Sequence, residues 1–151
     1  YDMFSVDFEM ENGIHMHSMC RQINGCSNNV SEFIQGTKGS WSSEGVIKDL
    51  AGNVIWKYDD EAAKEQFQQH NPYVLEHVDW VNHIRKGEAH DEATECAISC
   101  LAGVMGREAA YAGSTITWDE ISKSSQDYLG DFKQELGKQD MDKCVVMVPG
   151  K

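Results

Sequence analysis

The chain has 151 residues, 25 acidic against 13 basic, for a formal net charge of −12. That balance repels phosphate backbones and anionic bilayers, and with no Lys/Arg cluster it removes nucleic acid and membrane from the expected partners. A chain of this length buries about 70% of the surface its unfolded form exposes, so residues 1–151 are expected to form a single domain around one core.

The opening "YDMFSVDFEM" is neither a charged n-region nor an apolar h-region, and it enters a strand at once, as a segment of a longer protein would. From Phe4 to Glu11 apolar and polar residues alternate, the period of a half-buried strand. Asn12-Gly13 then supplies a tight turn. A two-residue loop pairs Glu11 with Ile14. A three-residue loop ending in a glycine bulge instead pairs Met10 with Ile14 and Phe8 with Met16, and sets Glu9 and Asp7 across from His15 and His17. Register follows the hydrophobic match, and opposite-sign cross-strand pairs add up to about 1 kcal/mol, so the second register is expected.

Val30 to Gly36, Gly39 to Ser43, Val46 to Leu50 and Val54 to Tyr58 read as further short strands of an antiparallel meander, separated by the turn sequences "GTKG", "SSEG" and "AGN". From Asp59 the texture becomes helical. "DDEAAKEQFQQH" is a short helix, and "NPYVLEHVDWVNHIRKG" has Asn71 as cap, Pro72 at its first position, a stripe of Val74, Val78, Val81 and Ile84, and Gly87 as its stop. Asp91 is expected to cap the longest helix, which carries Ala93, Ala97, Cys100, Leu101 and Val104 on one side and ends at Gly113. Its small residues, Gly103, Gly106, Ala109 and Ala110 among them, imply close approach to a neighbour. Thr117 and Glu120 form a capping box for a last helix through about Leu129. "GDFKQELGKQDMDK" reads as loop or helix, and "CVVMVPG" as an edge strand or tail. Strands first and helices after, with no internal repeat, predict an α+β fold.

His15 and His17 share one face of their strand, a geometry that can ligate a metal, but no third ligand is evident nearby and none is expected there. They read as exposed or partner-facing residues balanced by Asp7 and Glu9, with Arg21 on the same face, a grouping that suits a sugar hydroxyl, a carboxylate or a facing subunit. Five cysteines, Cys20, Cys26, Cys96, Cys100 and Cys144, are an odd number without zinc-ribbon spacing and read as reduced, mostly structural thiols. Cys96 and Cys100, one helical turn apart, read as core packing rather than a redox pair. His77 and His83 are six apart and point to different sides, and His70 and His90, near helix ends, are expected to carry nothing. Trp80 and Trp118 read as anchors against the sheet, and Arg107 with Glu108 as a helix ion pair. No G-x-G-x-x-G, P-loop or G-x-S-x-G is present, so neither a cofactor cradle nor a nucleophile elbow is expected.

At "GVMGREAAYAGSTITWDEI", Gly103 to Ile121, the sequence resembles a motif of the Gfo/Idh/MocA family, glucose-fructose oxidoreductase, inositol dehydrogenase and relatives, whose members run close to "MGREAAYTG…TWDE". "NPYVLEHVDWVNHIRKGE" is similar to the family's helix before an "I-R-x-G-x-P" turn, with Glu88-Ala89 in place of the proline. "VDFEMENGIHMHSMCRQINGC" and "VSEFIQGTKGS" resemble strands of the same domain in the bacterial branch that includes Tat-exported dehydrogenase-like proteins and NAD-dependent glycosidases. Together these stretches cover most of residues 4 to 129.

The resemblance implies a C-terminal domain: an open, mainly antiparallel sheet with helices on one face, the other walling a sugar site or forming a subunit interface. It implies that the Rossmann domain holding NAD or NADP, the lysine of the family's "E-K-P" motif and its "D-x-x-x-H" helix lie upstream, so no catalytic, cofactor-binding or metal residue carries over to this chain. Met16, Ser18 and Cys20 would face the helices. His15, His17 and Arg21 would face substrate or a neighbouring subunit, with the interface role favoured. The implied activity is oxidation or reduction of a sugar, inositol or related polyol by a bacterial NAD(P)-dependent dehydrogenase that is a homo-oligomer through its open sheet, this chain being inactive alone. Two alternatives stand beside it: an NAD-dependent glycosidase of the same fold, and a non-catalytic binding or assembly module. A twin-arginine signal upstream would mean periplasm, and its absence cytoplasm.

Overall fold

The computed structural model describes residues 1–68, 71–128, 136–138 and 146–150. Among these, six strands precede four helices: β1 (Met3–Glu9), β2 (His15–Arg21), β3 (Phe33–Gln35), β4 (Gly39–Ser42), β5 (Val46–Asp49), β6 (Val54–Lys57), α1 (Asp60–Phe67), α2 (Pro72–Lys86), α3 (Ala93–Ala112) and α4 (Trp118–Ser122). The class is α+β, and all strand pairings are antiparallel. The strands expected of one open sheet are divided between two, β1-β2 and β3-β4-β5-β6. The chain forms two compact units, one of Tyr1–Asn24 with Glu92–Lys151, the other of Gly25–Asp91.

In the first unit the hairpin takes the three-residue loop. Met10 N–H donates to Ile14 O at 2.9 Å, Gly13 sits in the left-handed region at φ 75°, and Phe8 pairs with Met16. Phe4, Val6 and Phe8 form the half-buried row of β1. α3 meets that row through Gly106, where an added Cβ would lie 3.0 Å from Phe8 Cζ and 3.4 Å from Val6 Cγ1. The small residue is there because nothing larger allows so close an approach.

Burial along α3 begins at Leu101, so Cys96 and Cys100, expected in a core, are exposed. Glu92 rather than Asp91 occupies the N-cap position. Gly113 stops the helix in the left-handed region, and the Thr117–Glu120 capping box opens α4, placing Ile121 at 7% exposure as the most enclosed apolar side chain among the described residues. α4 ends at Ser122, not near Leu129, because serines compete with helix by local bonding: Ser124 Oγ accepts from Gln126 N–H at 3.2 Å. Residues 129–135 and 139–145 lie outside the described part, and with them the loop-or-helix expectation and Cys144. Val146–Gly150 form no strand; the tail is tied by Gly150 N–H to Ala112 O at 3.0 Å and by the Tyr1 hydroxyl to Met147 O at 3.1 Å.

In the second unit the meander is set by its turns. Gly39 admits no side chain, since a Cβ there would stand 2.1 Å from Lys48 O across the β4–β5 ladder. The Asp49 carboxylate accepts from the Asn53 side chain at 3.0 Å and from the backbone N–H groups of Asn53 and Ala51 at 2.8 and 2.9 Å, which holds it below the usual carboxylate range and closes the β5–β6 turn. β3 starts at Phe33, three residues later than expected.

α2 begins as its sequence implies, with Asn71 Oδ1 accepting from Tyr73 N–H at 3.0 Å and Pro72 at the first position. It ends at Gly87 in a Schellman motif: Gly87 N–H donates to Ile84 O at 3.1 Å and Glu88 N–H to His83 O at 3.0 Å. The half-buried residues are Leu75, Val78, Asn82 and His83, so most of the valine stripe is exposed. Trp80 stands away from these and is 53% exposed, and Trp118, first in its short helix, is exposed beside the enclosed Ile121. Neither is a sheet anchor.

Candidate functional site

Residues directly opposite in an antiparallel pair point to the same side. Met16, Ser18 and Cys20, opposite Phe8, Val6 and Phe4, therefore share the face that α3 meets, and His15, His17, Met19 and Arg21 share the other. All seven residues of β2 are exposed, Met16, Ser18 and Cys20 included, so α3 covers the β1 row and leaves β2 open. The Cα partners of His15 and His17 are Glu9 and Asp7, yet each side chain bonds the residue two positions before its partner on β1. His15 Nδ1 donates to Asp7 Oδ2 at 2.8 Å, and His17 Nε2 shares a hydrogen bond with Ser5 Oγ at 2.9 Å. Strand twist brings such diagonal neighbours into reach. The hydrogen bond and charge of Asp7 raise the His15 pKa above the usual histidine value.

Six residue steps separate His15 from Arg21, about 20 Å along an extended strand. A sugar ring spans only a fraction of that. The row suits an extended surface better than one small ligand.

On the opposite side of β1 an open cleft of about 390 Å³ runs between the strand and the second half of α3, lined by Val6, Phe8, Met105, Gly106 and Ile116 among others. Its volume is that of a small-molecule pocket. The lining holds no histidine, cysteine or lysine; its polar residues are Ser5, Asp7, Ser114 and Thr115. Next to it on α3, Arg107 and Glu108 form the ion pair the sequence implies, Nε to Oε1 at 3.0 Å, and the guanidinium lies 4.8 Å over the Tyr128 ring.

No family model, curated protein or solved structure matches this chain.

In the second unit His77 and His83 stay apart as expected. His77 Nδ1 donates to Tyr73 O at 2.8 Å and His83 Nδ1 to Asp79 O at 3.0 Å. His90, read from sequence as carrying nothing, comes back onto α2: its ring centroid is 4.5 Å from that of His83, and its Nε2 is 3.9 Å from Asp79 Oδ2. The signal was present in two parts, Asp79 and His83 at i, i+4 on one helix face and a left-handed glycine stop that reverses the chain toward them. His70 lies outside the described residues.

Proposed function

We propose that this chain is the substrate-side and subunit-contact domain of an NAD(P)-dependent oxidoreductase of the Gfo/Idh/MocA type, acting on a sugar, inositol or related polyol, with the nucleotide held by a separate domain. The observation that carries the proposal is the stretch Gly103 to Ile121, "GVMGREAAYAGSTITWDEI". Its matching residues have distinct physical tasks: Gly106 sets the approach to β1, Gly113 stops α3, and Thr117 with Glu120 caps α4. In such a protein hydride passes between a substrate carbon and the nicotinamide, and this chain contributes walls and contacts rather than reacting groups.

The row of His15, His17 and Arg21 is assigned to a second copy of the chain. Its length of about 20 Å and the bare Met19 within it, 76% exposed, support that assignment, because an uncovered strand face with an apolar centre is a contact surface or an aggregation hazard.

Calorimetry with NAD and NADP tests the first part. The protein that carries this chain binds one of them and yields reduced nicotinamide on addition of a sugar or polyol, while the 151-residue chain alone binds neither. Micromolar affinity of the chain alone would overturn the assignment of the nucleotide to another domain. Free sugar released from a glycoside with catalytic NAD would move the protein to the glycosidase activity. Sedimentation tests the second part: self-association that weakens in His17→Glu and Arg21→Glu is expected, and a strict monomer at high concentration would remove the interface role.

A further inference from the structure

We infer that Asp79, His83 and His90 form a binding site for a divalent transition-metal ion, with zinc the best chemical fit. One ligand atom from each residue lies within 4.8 Å of those of the other two. Donor atoms around a tetrahedral ion with bonds of about 2.0–2.1 Å stand about 3.4 Å apart, so side-chain shifts of about 1 Å or less close the set.

The site is a consequence of how α2 ends. Asp79 and His83, four apart, occupy one face of its last turns. The Schellman reversal at Gly87 then carries Glu88 to His90 back along that face. His83 Nδ1 lies 3.6 Å from Asp79 Oδ2 and donates to the Asp79 carbonyl at 3.0 Å, and that donation, the outer hydrogen bond typical of metal-bound imidazoles, leaves the lone pair on Nε2 as the one to coordinate. Glu88 Oε2, 3.9 Å from that Nε2, is at hand as a further oxygen donor.

The donor set selects the metal. Two imidazoles and a carboxylate, with no thiol among them, suit zinc and its neighbours better than magnesium or calcium, which take oxygen. The side chains of His83 and His90 are 27% exposed, so the site is open to exchange with solution and leaves a coordination position for water. The strongly acidic chain raises the local concentration of cations. This inference does not depend on the oxidoreductase assignment.

The test uses the full chain with its exposed thiols, Cys20, Cys26, Cys96 and Cys100, alkylated to remove competing ligands, titrated calorimetrically with a zinc salt alone. One equivalent is expected to bind. His90→Ala and Asp79→Asn should each weaken binding by about tenfold or more, and His77→Ala, outside the cluster, should leave it unchanged. His90 lies beyond the end of α2, so circular dichroism of His90→Ala should match the parent and separate lost ligation from lost folding. Zinc should also move the NMR ring signals of His83 and His90 without moving His77. Absence of saturable one-to-one binding, affinity unaffected by His90→Ala, or zinc shifts confined to His15 and His17 would each overturn the site.

Discussion

Replacing a glycine by alanine inside a helix ordinarily stabilises it by about 0.8–1.0 kcal/mol, so two glycines of α3 make a matched pair of probes. At Gly103 an added Cβ meets nothing within 4 Å, and Gly103→Ala should gain the full amount, about 1 kcal/mol. At Gly106 the same methyl would press on Phe8 Cζ at 3.0 Å and Val6 Cγ1 at 3.4 Å. Overfilling a packed contact costs about 1–3 kcal/mol, so Gly106→Ala should range from neutral to a loss of about 2 kcal/mol. The two substitutions should therefore differ by about 1–3 kcal/mol in urea unfolding followed by far-ultraviolet circular dichroism. Truncating the opposing ring should reverse the sign: in a Phe8→Ala background Gly106→Ala becomes favourable, a coupling a double-mutant cycle reads directly. If Gly106→Ala stabilises as much as Gly103→Ala in the parent, α3 does not bear on β1 at this point, and the packing of the first unit is misassigned.

Thr117→Ala removes the capping box that starts α4 and should cost about 1 kcal/mol in the same assay. Gly39→Ala forces a methyl into Lys48 O and should cost about 3 kcal/mol, at the upper end of ordinary single substitutions, with loss of amide protection across β4 and β5. Asp7→Asn should lower the His15 pKa toward the ordinary histidine value in an NMR titration; no movement would remove the pairing seen in the hairpin. Because the His15 pKa is raised in the folded chain, its contribution is fully present below the usual histidine pKa and is lost as pH rises through the raised value. Hairpin amide protection should accordingly be greater in mildly acidic than in alkaline solution, and Asp7→Asn should shrink that difference, leaving the smaller effect of the Glu9 charge.

The parts of the fold legible in the sequence are those whose causes are local. Asn12-Gly13 and the match of Phe8 with Met16 specify the hairpin and its register, and Asn71, Pro72 and Gly87 bound α2 by their own backbone chemistry. Thr117 and Glu120 mark where α4 starts but say nothing of its length, which is decided by serines that bond locally after Ser122. Which strands join which sheet, and which flank of a helix is covered, are set by contacts distant in sequence. Cys96, Cys100 and Trp80 depart from expectation for that reason: composition marks them as interior residues, and the burial that begins at Leu101 on α3 and follows Leu75 and Val78 on α2 passes them by. His90 was missed because its neighbour lies seven residues back across a chain reversal, outside any helical or strand period.

The hairpin's two diagonal bonds, His15 to Asp7 and His17 to Ser5, lean the same way. A slip of β2 by a single residue would break both together and turn the imidazoles to the side that α3 meets. The ladder therefore behaves as a key cut for one position, its two bonds gained or lost together when the strand moves by one residue.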